Sequence, residues 1–275
     1  MDCDLKISKV YIFIWNLYLT LVYLFIKYFE TMILCLGDIH GNFNYLKNQI
    51  HTKKITDCTI IQVGDFGIGF TYKENDDQTL NSLNDFLKDV NVTMFAIRGN
   101  HDNPDFFNGD YDLSNLKLLP DYTTLNLEGH NFLFVGGAVS VDRIERIKEN
   151  SSNIKYGSRK RCYWDKESFE YRPDIIKNLR NIDVVITHSA PDWCHPNNKL
   201  GFGNFVKDWA KYDSGLIRDL SFERNQMTNL FIDLYENNNI KDHLYGHFHN
   251  SYFETSQGVN HRLLDINEFY HLYPY

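Results

Sequence analysis

From residue 32 onward the chain alternates short apolar runs with longer polar stretches in which apolar side chains recur three or four positions apart. Runs of four or five residues closed by Gly, Asp, Asn or His predict strands. They fall at Met32–Leu36, Thr59–Val63, Met94–Ile97, Phe132–Val135 and Val184–Thr187. Helix-spaced apolar residues occupy Asn44–His51, Thr79–Val90, Pro173–Asn181 and Leu216–Tyr235, and these predict helices. Strands alternating with helices imply an α/β protein whose active loops lie at strand ends. No Pro- or Ser-rich linker, repeat or low-complexity block divides residues 32–275, so one domain is expected there. Asn150–Arg161 and Asp192–Gly203 read as long loops, a kind of segment that often carries function.

The first thirty-one residues break this pattern. Val10 to Ile26 is apolar except for Asn16 and Thr20, with Lys6 and Lys9 before it and Lys27 after it. Seventeen residues is the short limit for a membrane-spanning helix, and no small-residue cleavage site follows. Residues 1–31 therefore read either as an amino-terminal membrane anchor through residues 10–26 or as a leader ahead of a start at Met32. The corresponding locations are membrane-anchored and cytoplasmic.

Composition narrows the class. With 28 basic and 36 acidic residues the net charge is −8. The three acidic and three basic side chains of residues 1–31 cancel, so all of that charge belongs to the remainder. An acidic balance argues against non-specific duplex binding, which needs surplus Lys and Arg. The cysteines Cys3, Cys35, Cys58, Cys162 and Cys194 are odd in number and contain no CxxC, so neither a disulfide framework nor a thiolate zinc site is expected.

Polar clusters follow the predicted strands. The first ends in Gly37-Asp38-Ile39-His40-Gly41, the second in Gly64-Asp65-Phe66-Gly67 and the third in Gly99-Asn100-His101-Asp102. Thr187-His188-Ser189-Ala190-Pro191 and Gly246-His247-Phe248-His249 come later. Asp38 with His40, and His247 with His249, are i,i+2 pairs, which in extended backbone project to one side. Carboxylate, amide and imidazole donors without thiolate suit Mn²⁺, Fe²⁺ or Zn²⁺ better than Ca²⁺. Taken singly, each cluster also reads as a turn or a surface histidine. Their shared position at strand ends is what points to one site.

The ordered set GDIHG, GDFG, GNHD, THSAP and GHFH resembles the calcineurin-like metallophosphoesterase superfamily over Gly37 to His249. That resemblance implies a four-layer α-β-β-α sandwich carrying two divalent metal ions, Mn favoured among Mn, Fe, Zn and Mg. It implies one ion on Asp38, His40, Asp65 and His249, and the other on Asp65, Asn100, His188 and His247, with Asp65 bridging. His101 would donate to the leaving-group oxygen, and Asp102 would tune or orient it. The implied reaction is hydrolysis of a phosphomonoester or phosphodiester by in-line attack of a metal-bridging hydroxide. The chain lacks the acidic-Arg-Gly continuation after Gly64-Asp65 and has GNHD in place of GNHE. Both departures move the expectation away from phosphoprotein substrates and toward the broad microbial and viral-type phosphoesterases, without naming a substrate; a small phosphate ester is the expected partner. A nuclease sharing the metals, and a non-catalytic scaffold with this fold, are the alternatives.

The run Gly136-Gly137-Ala138-Val139-Ser140-Val141-Asp142-Arg143, with Arg146, resembles a segment of some superfamily members. It offers Arg143 or Arg146 as a phosphate-binding residue, or a structural ion network of Asp142, Arg143 and Glu167. Ser158-Arg159-Lys160-Arg161 beside Tyr163 and Trp164 permits nucleic-acid contact or a solvated loop. Of the remaining histidines, His195 is the one expected to line the site, with His51, His130, His243, His261 and His271 structural or on the surface.

Overall fold

Side chains alternate along the first strand, β1 (Met32–Leu36). Leu34 and Leu36 pack with Leu46 and Ile50 of α1 (Phe43–Lys53) and with Leu80, Leu83 and Leu87 of α2 (Lys73–Asp89). Ile33 and Cys35 point the other way, into a core shared with Phe132, Phe134, Val184, Ile186 and Leu244. A strand buried on both faces cannot sit at the surface of a two-layer fold; here it lies in the second of four layers. The structure is a computed structural model and describes Trp15 and residues 32–158, 160–199 and 201–273. The expected anchor or leader over residues 1–31 lies outside the described residues apart from Trp15. Among the described residues, no helix is long and apolar enough to cross a membrane.

The remaining strands are β2 (Cys58–Gln62), β3 (Val92–Ala96), β4 (Leu116–Leu118), β5 (Thr123–Leu127), β6 (His130–Val135), β7 (Val184–Thr187), β8 (Asp242–Tyr245), β9 (Tyr252–Ser256), β10 (Val259–Leu263) and β11 (Phe269–Tyr273). They form a five-stranded sheet, β11-β1-β2-β3-β4, and a six-stranded sheet, β5-β6-β7-β8-β10-β9. On the outer face of the second sheet, Leu133, Val135 and Val185 meet Met227, Leu230, Phe231 and Leu234 of α6 (Leu216–Tyr235) and Ile176 of α4 (Pro173–Ile176). Helices, sheet, sheet and helices thus complete the α-β-β-α sandwich.

Parallel pairing sets where the loops go. Leu36, Gln62 and Ala96 are neighbours across β1, β2 and β3, and β6, β7 and β8 are also mutually parallel. The carboxyl ends of the central strands therefore lie together along one edge, where parallel sheets place their ligand sites.

Two expectations change. Pro173–Asn181 is helical only over Pro173–Ile176, and Asn178 turns its side chain back to Asp174 O, a local bond that competes with helix continuation. Asn150–Arg161 is not all loop, because α3 (Arg143–Lys155) runs through its first half. Arg146 is the only buried residue of α3, so the helix has no apolar stripe for a hydrophobic period to reveal. The short helix α5 (Asn204–Ala210) lies in front of α6.

Candidate metal centre

The loops after β1, β2, β3, β7 and β8 bring the seven expected ligands to one place, in two groups. Asp38, His40, Asp65 and His249 offer donor atoms all within 4.8 Å of one another, as do Asp65, His188 and His247. Asp65 belongs to both. His40 Nε2 lies 3.0 Å from His249 Nε2, and His249 Nε2 lies 3.3 Å from Asp38 Oδ2. His188 Nε2 lies 3.2 Å from Asp65 Oδ1 and 3.1 Å from Asn100 Oδ1, which joins Asn100 to the second group.

The convergence does not come from extended i,i+2 pairs. His40, Asp65, His247 and His249 all have positive φ, between 46° and 70°, a left-handed conformation uncommon for these residues and characteristic of functional sites. Each chain segment reverses at the ligand instead of running past it. Glycine makes the close approach possible at Gly99, where a Cβ would stand 2.1 Å from Asp65 Oδ1 and 2.6 Å from His188 Nε2.

Asp65 is buried, and its two oxygens differ. Oδ1 accepts from the His101 backbone N–H at 2.7 Å. Among the described residues Oδ2 has no hydrogen-bond partner, and it lies 3.8 Å from His40 Nδ1. Burial acts to raise the Asp65 pKa, but His188, His101 and His40 around it hold the carboxyl well below its usual range. An unpartnered buried carboxylate oxygen is costly by itself; among imidazole nitrogens it has the chemistry of a cation ligand, so the residues present fit a pair of divalent ions.

The ligands are held from outside. His188 Nδ1 faces Val63 O at 2.9 Å, which directs Nε2 inward. Asn100 Nδ2 donates to Ser140 Oγ at 2.9 Å, and Ser140 Oγ donates to Glu167 Oε2 at 2.6 Å, so Asn100 presents its oxygen to the site. Glu223, buried on α6, accepts from Ser189 Oγ and from the Val139 N–H. A charged residue within the apolar series Leu216, Leu220, Met227, Leu230 was the available sequence signal for Glu223.

Burial, opposed by the hydrogen bonds from Ser140, pushes the Glu167 carboxyl from 4.5 up to about 8. Between those values the folded chain holds a proton that the unfolded chain has released, so stability falls as pH rises through the window. Glu167→Gln does not titrate. Its melting temperature is expected to fall less than the parent's between about pH 5 and about pH 8, in paired thermal melts.

Several expected roles move. Asp102 does not orient His101: it accepts backbone N–H groups from Phe66, Gly67, Ile68 and Gly99 at 2.6–3.2 Å. That pins the loop carrying Asp65 to the loop carrying Asn100. The partner of the His101 ring is Arg146, whose guanidinium lies against both ring nitrogens and also pairs with Asp142 at 2.8 Å. Arg143 turns away to Asp213 and Asp219, at 2.5 and 2.8 Å. The expected network of Asp142, Arg143 and Glu167 thus divides among three different sets of partners. Arg143→Ala is expected to lower the melting temperature and leave KM unchanged, because its loss takes the guanidinium from Asp213, while Asp219 keeps Arg218, and Arg143 is no part of the cavity wall. His195 stacks on Tyr252 with ring centroids 4.2 Å apart, and its neighbour Pro196, not His195, lines the cavity.

A cavity of about 680 Å³ opens beside Asp65, Asn100, His101, His247 and His249. Phe202, Phe205, Val206, Trp209 and Leu220 form an apolar wall, and Lys199, Arg224, Asp142 and Glu223 add charged groups to the lining.

Calcineurin-like phosphoesterases match this sequence over residues 31–251. A search of curated proteins finds no match. Among solved structures, GAP50, the anchor in the inner membrane complex of Plasmodium, is similar at 16% identity and a TM-score of 0.42, over 86% of this chain and 71% of that one. The phosphopantetheinyl hydrolase of Mycobacterium tuberculosis is similar at 12% identity and a TM-score of 0.43, over 86% and 90%. With its sandwich fold, its strand-end donor groups and a match spanning most of its length, the chain belongs to the calcineurin-like phosphoesterase family.

Proposed function

We propose that this chain is a metal-dependent hydrolase of small phosphate esters, working through two divalent cations with Mn²⁺ favoured. The observation that carries the reading is Asp65, common to both donor groups, with one buried oxygen that has no hydrogen-bond partner among the described residues. Asp38, His40, Asp65 and His249 would hold one cation, and Asp65, Asn100, His188 and His247 the other. Bound there, divalent ions lower the pKa of water toward neutrality and offset phosphate charge.

The chain's own groups do the rest. Asp65 remains an anion, and Val63 and Ser140 fix the orientations of His188 and Asn100. Burial, opposed by Asp65 and assisted by Arg146, lowers the His101 pKa to about 4. The ring is therefore neutral at pH 7, with one nitrogen accepting from Arg146 and the other carrying the N–H offered to the leaving-group oxygen. Arg146 positions that ring.

A small ester carrying an apolar or aromatic group fits the cavity better than a nucleic-acid strand does. Its wall is apolar and its basic residues, Lys199 and Arg224, do not outnumber the acidic Asp65, Asp142 and Glu223, whereas a strand requires surplus cations along a groove. The test uses full-length protein, chelated and then reconstituted with Mn²⁺, against p-nitrophenyl phosphate, bis-p-nitrophenyl phosphate and single-stranded DNA and RNA. Ester hydrolysis without nucleic-acid cleavage is expected. Strand degradation would replace this reading with a nuclease, and inertness toward every substrate with a scaffold.

A further inference from the structure

Away from that centre, Cys194, His243 and His261 form a second, buried group of metal-binding side chains. His243 on β8 and His261 on β10 are paired directly in a parallel ladder, so both project from one face of the sheet. Phe231 of α6 packs on both rings. Cys194 comes from the loop after β7. Its Sγ lies 3.1 Å from His261 Nδ1, which lies 3.0 Å from His243 Nδ1.

Thr187 decides which His243 nitrogen carries hydrogen. Its hydroxyl donates to Ser189 O at 2.5 Å, so it can only accept from His243 Nε2, 2.8 Å away. In the neutral ring Nδ1 is then bare and faces His261. A hydrogen on His261 Nδ1 satisfies His243 or faces the thiol, not both. With that hydrogen on Nε2 instead, two bare lone pairs meet at 3.0 Å.

We infer that Cys194 Sγ, His243 Nδ1 and His261 Nδ1 bind Zn²⁺ at a site separate from the phosphoesterase centre. Thiolate and imidazole are donors that zinc prefers, and the bond from His243 Nε2–H to Thr187 is the outer support that fixes a ligating histidine. Tetrahedral ligands at about 2.3 Å for sulfur and about 2.0–2.1 Å for nitrogen lie about 3.4–3.6 Å apart. The separations of 3.1 and 3.0 Å reach that by opening roughly a few tenths of an ångström, and the third pair of donor atoms lies within 4.8 Å. Binding releases the Cys194 thiol proton to solvent and leaves both imidazoles neutral. The loop that carries Cys194 also supplies Pro196, Asn197 and Lys199 to the cavity wall, so the ion fastens that wall to β8 and β10.

Co²⁺ is the probe, because thiolate-to-cobalt charge transfer absorbs in the near ultraviolet and the phosphoesterase centre contains no thiolate. Full-length protein, chelated and titrated with Co²⁺, is expected to show this absorption. Cys194→Ser and His261→Gln should each lose it, while Cys162→Ser and Asp65→Asn retain it; circular dichroism checks folding throughout. With Zn²⁺, Cys194→Ser should bind one equivalent less than the parent. Absence of the absorption in the parent overturns the site, and so does its persistence in Cys194→Ser. Since Asp65→Asn keeps the signal, failure of this site and failure of the proposed function are distinguishable.

Discussion

Asp65→Asn is expected to abolish most turnover while leaving the fold intact. The side chain is common to both donor groups, and the replacement keeps its shape but removes its charge. The Asn carbonyl can still accept from the His101 N–H that Asp65 Oδ1 accepts now, so the loop retains its anchor. What is lost is the anion among His40, His101 and His188, and with it the unpartnered Oδ2. Loss of an outer partner of a metal ligand costs about 10–100-fold. Loss of a side chain shared by two cations should exceed that, on the order of 10³-fold or more in kcat/KM. Steady-state kinetics with metal analysis of the same sample checks it: activity and metal content should fall together, with an unchanged circular dichroism spectrum.

His101→Ala is expected to separate those two quantities. Its contact with Asp65 is through the backbone N–H, which alanine retains, while its ring stands 4.9 Å from the His40 ring at the cavity. Removing one hydrogen-bond donor from developing charge costs about 10²–10³-fold in kcat, and metal content should not change. A drop in metal content equal to that in Asp65→Asn would mean that His101 supports the ligands and does not meet the substrate. Arg146, buried against the ring, should show a weaker version of the same kinetic defect.

Asp38, His40, Asp65, Asn100 and His188 were legible because each follows a strand whose apolar run announces it; His247 and His249 follow β8, whose Asp-His-Leu-Tyr sequence carries no such run, and only their own Gly-His-Phe-His spacing marked them. Met32–Leu36, Val184–Thr187 and Leu216–Tyr235 have the bounds that their patterns predict. Edge strands such as β9, mostly exposed and mixed in polarity, carry no such run. The left-handed turns at His40, Asp65, His247 and His249 were hidden because spacing says nothing about φ. Asp102 sits next to His101 in sequence, yet its partners are amides more than thirty residues away as well as Gly99. Cys194, His243 and His261 share no short motif; parallel pairing of β8 with β10 brings the two histidines together and the loop after β7 adds the cysteine. Local pattern recorded the ligands, and tertiary register determined what supports them.

The most direct test of the two-cation account is Mn²⁺ titration of chelated full-length protein, following hydrolysis of p-nitrophenyl and bis-p-nitrophenyl phosphate alongside bound metal. The account predicts that activity on at least one ester disappears with the metal and returns as the Asp65 centre fills, in the parent and not in Asp65→Asn. Full hydrolysis by metal-free protein, or equal recovery in Asp65→Asn, would contradict it.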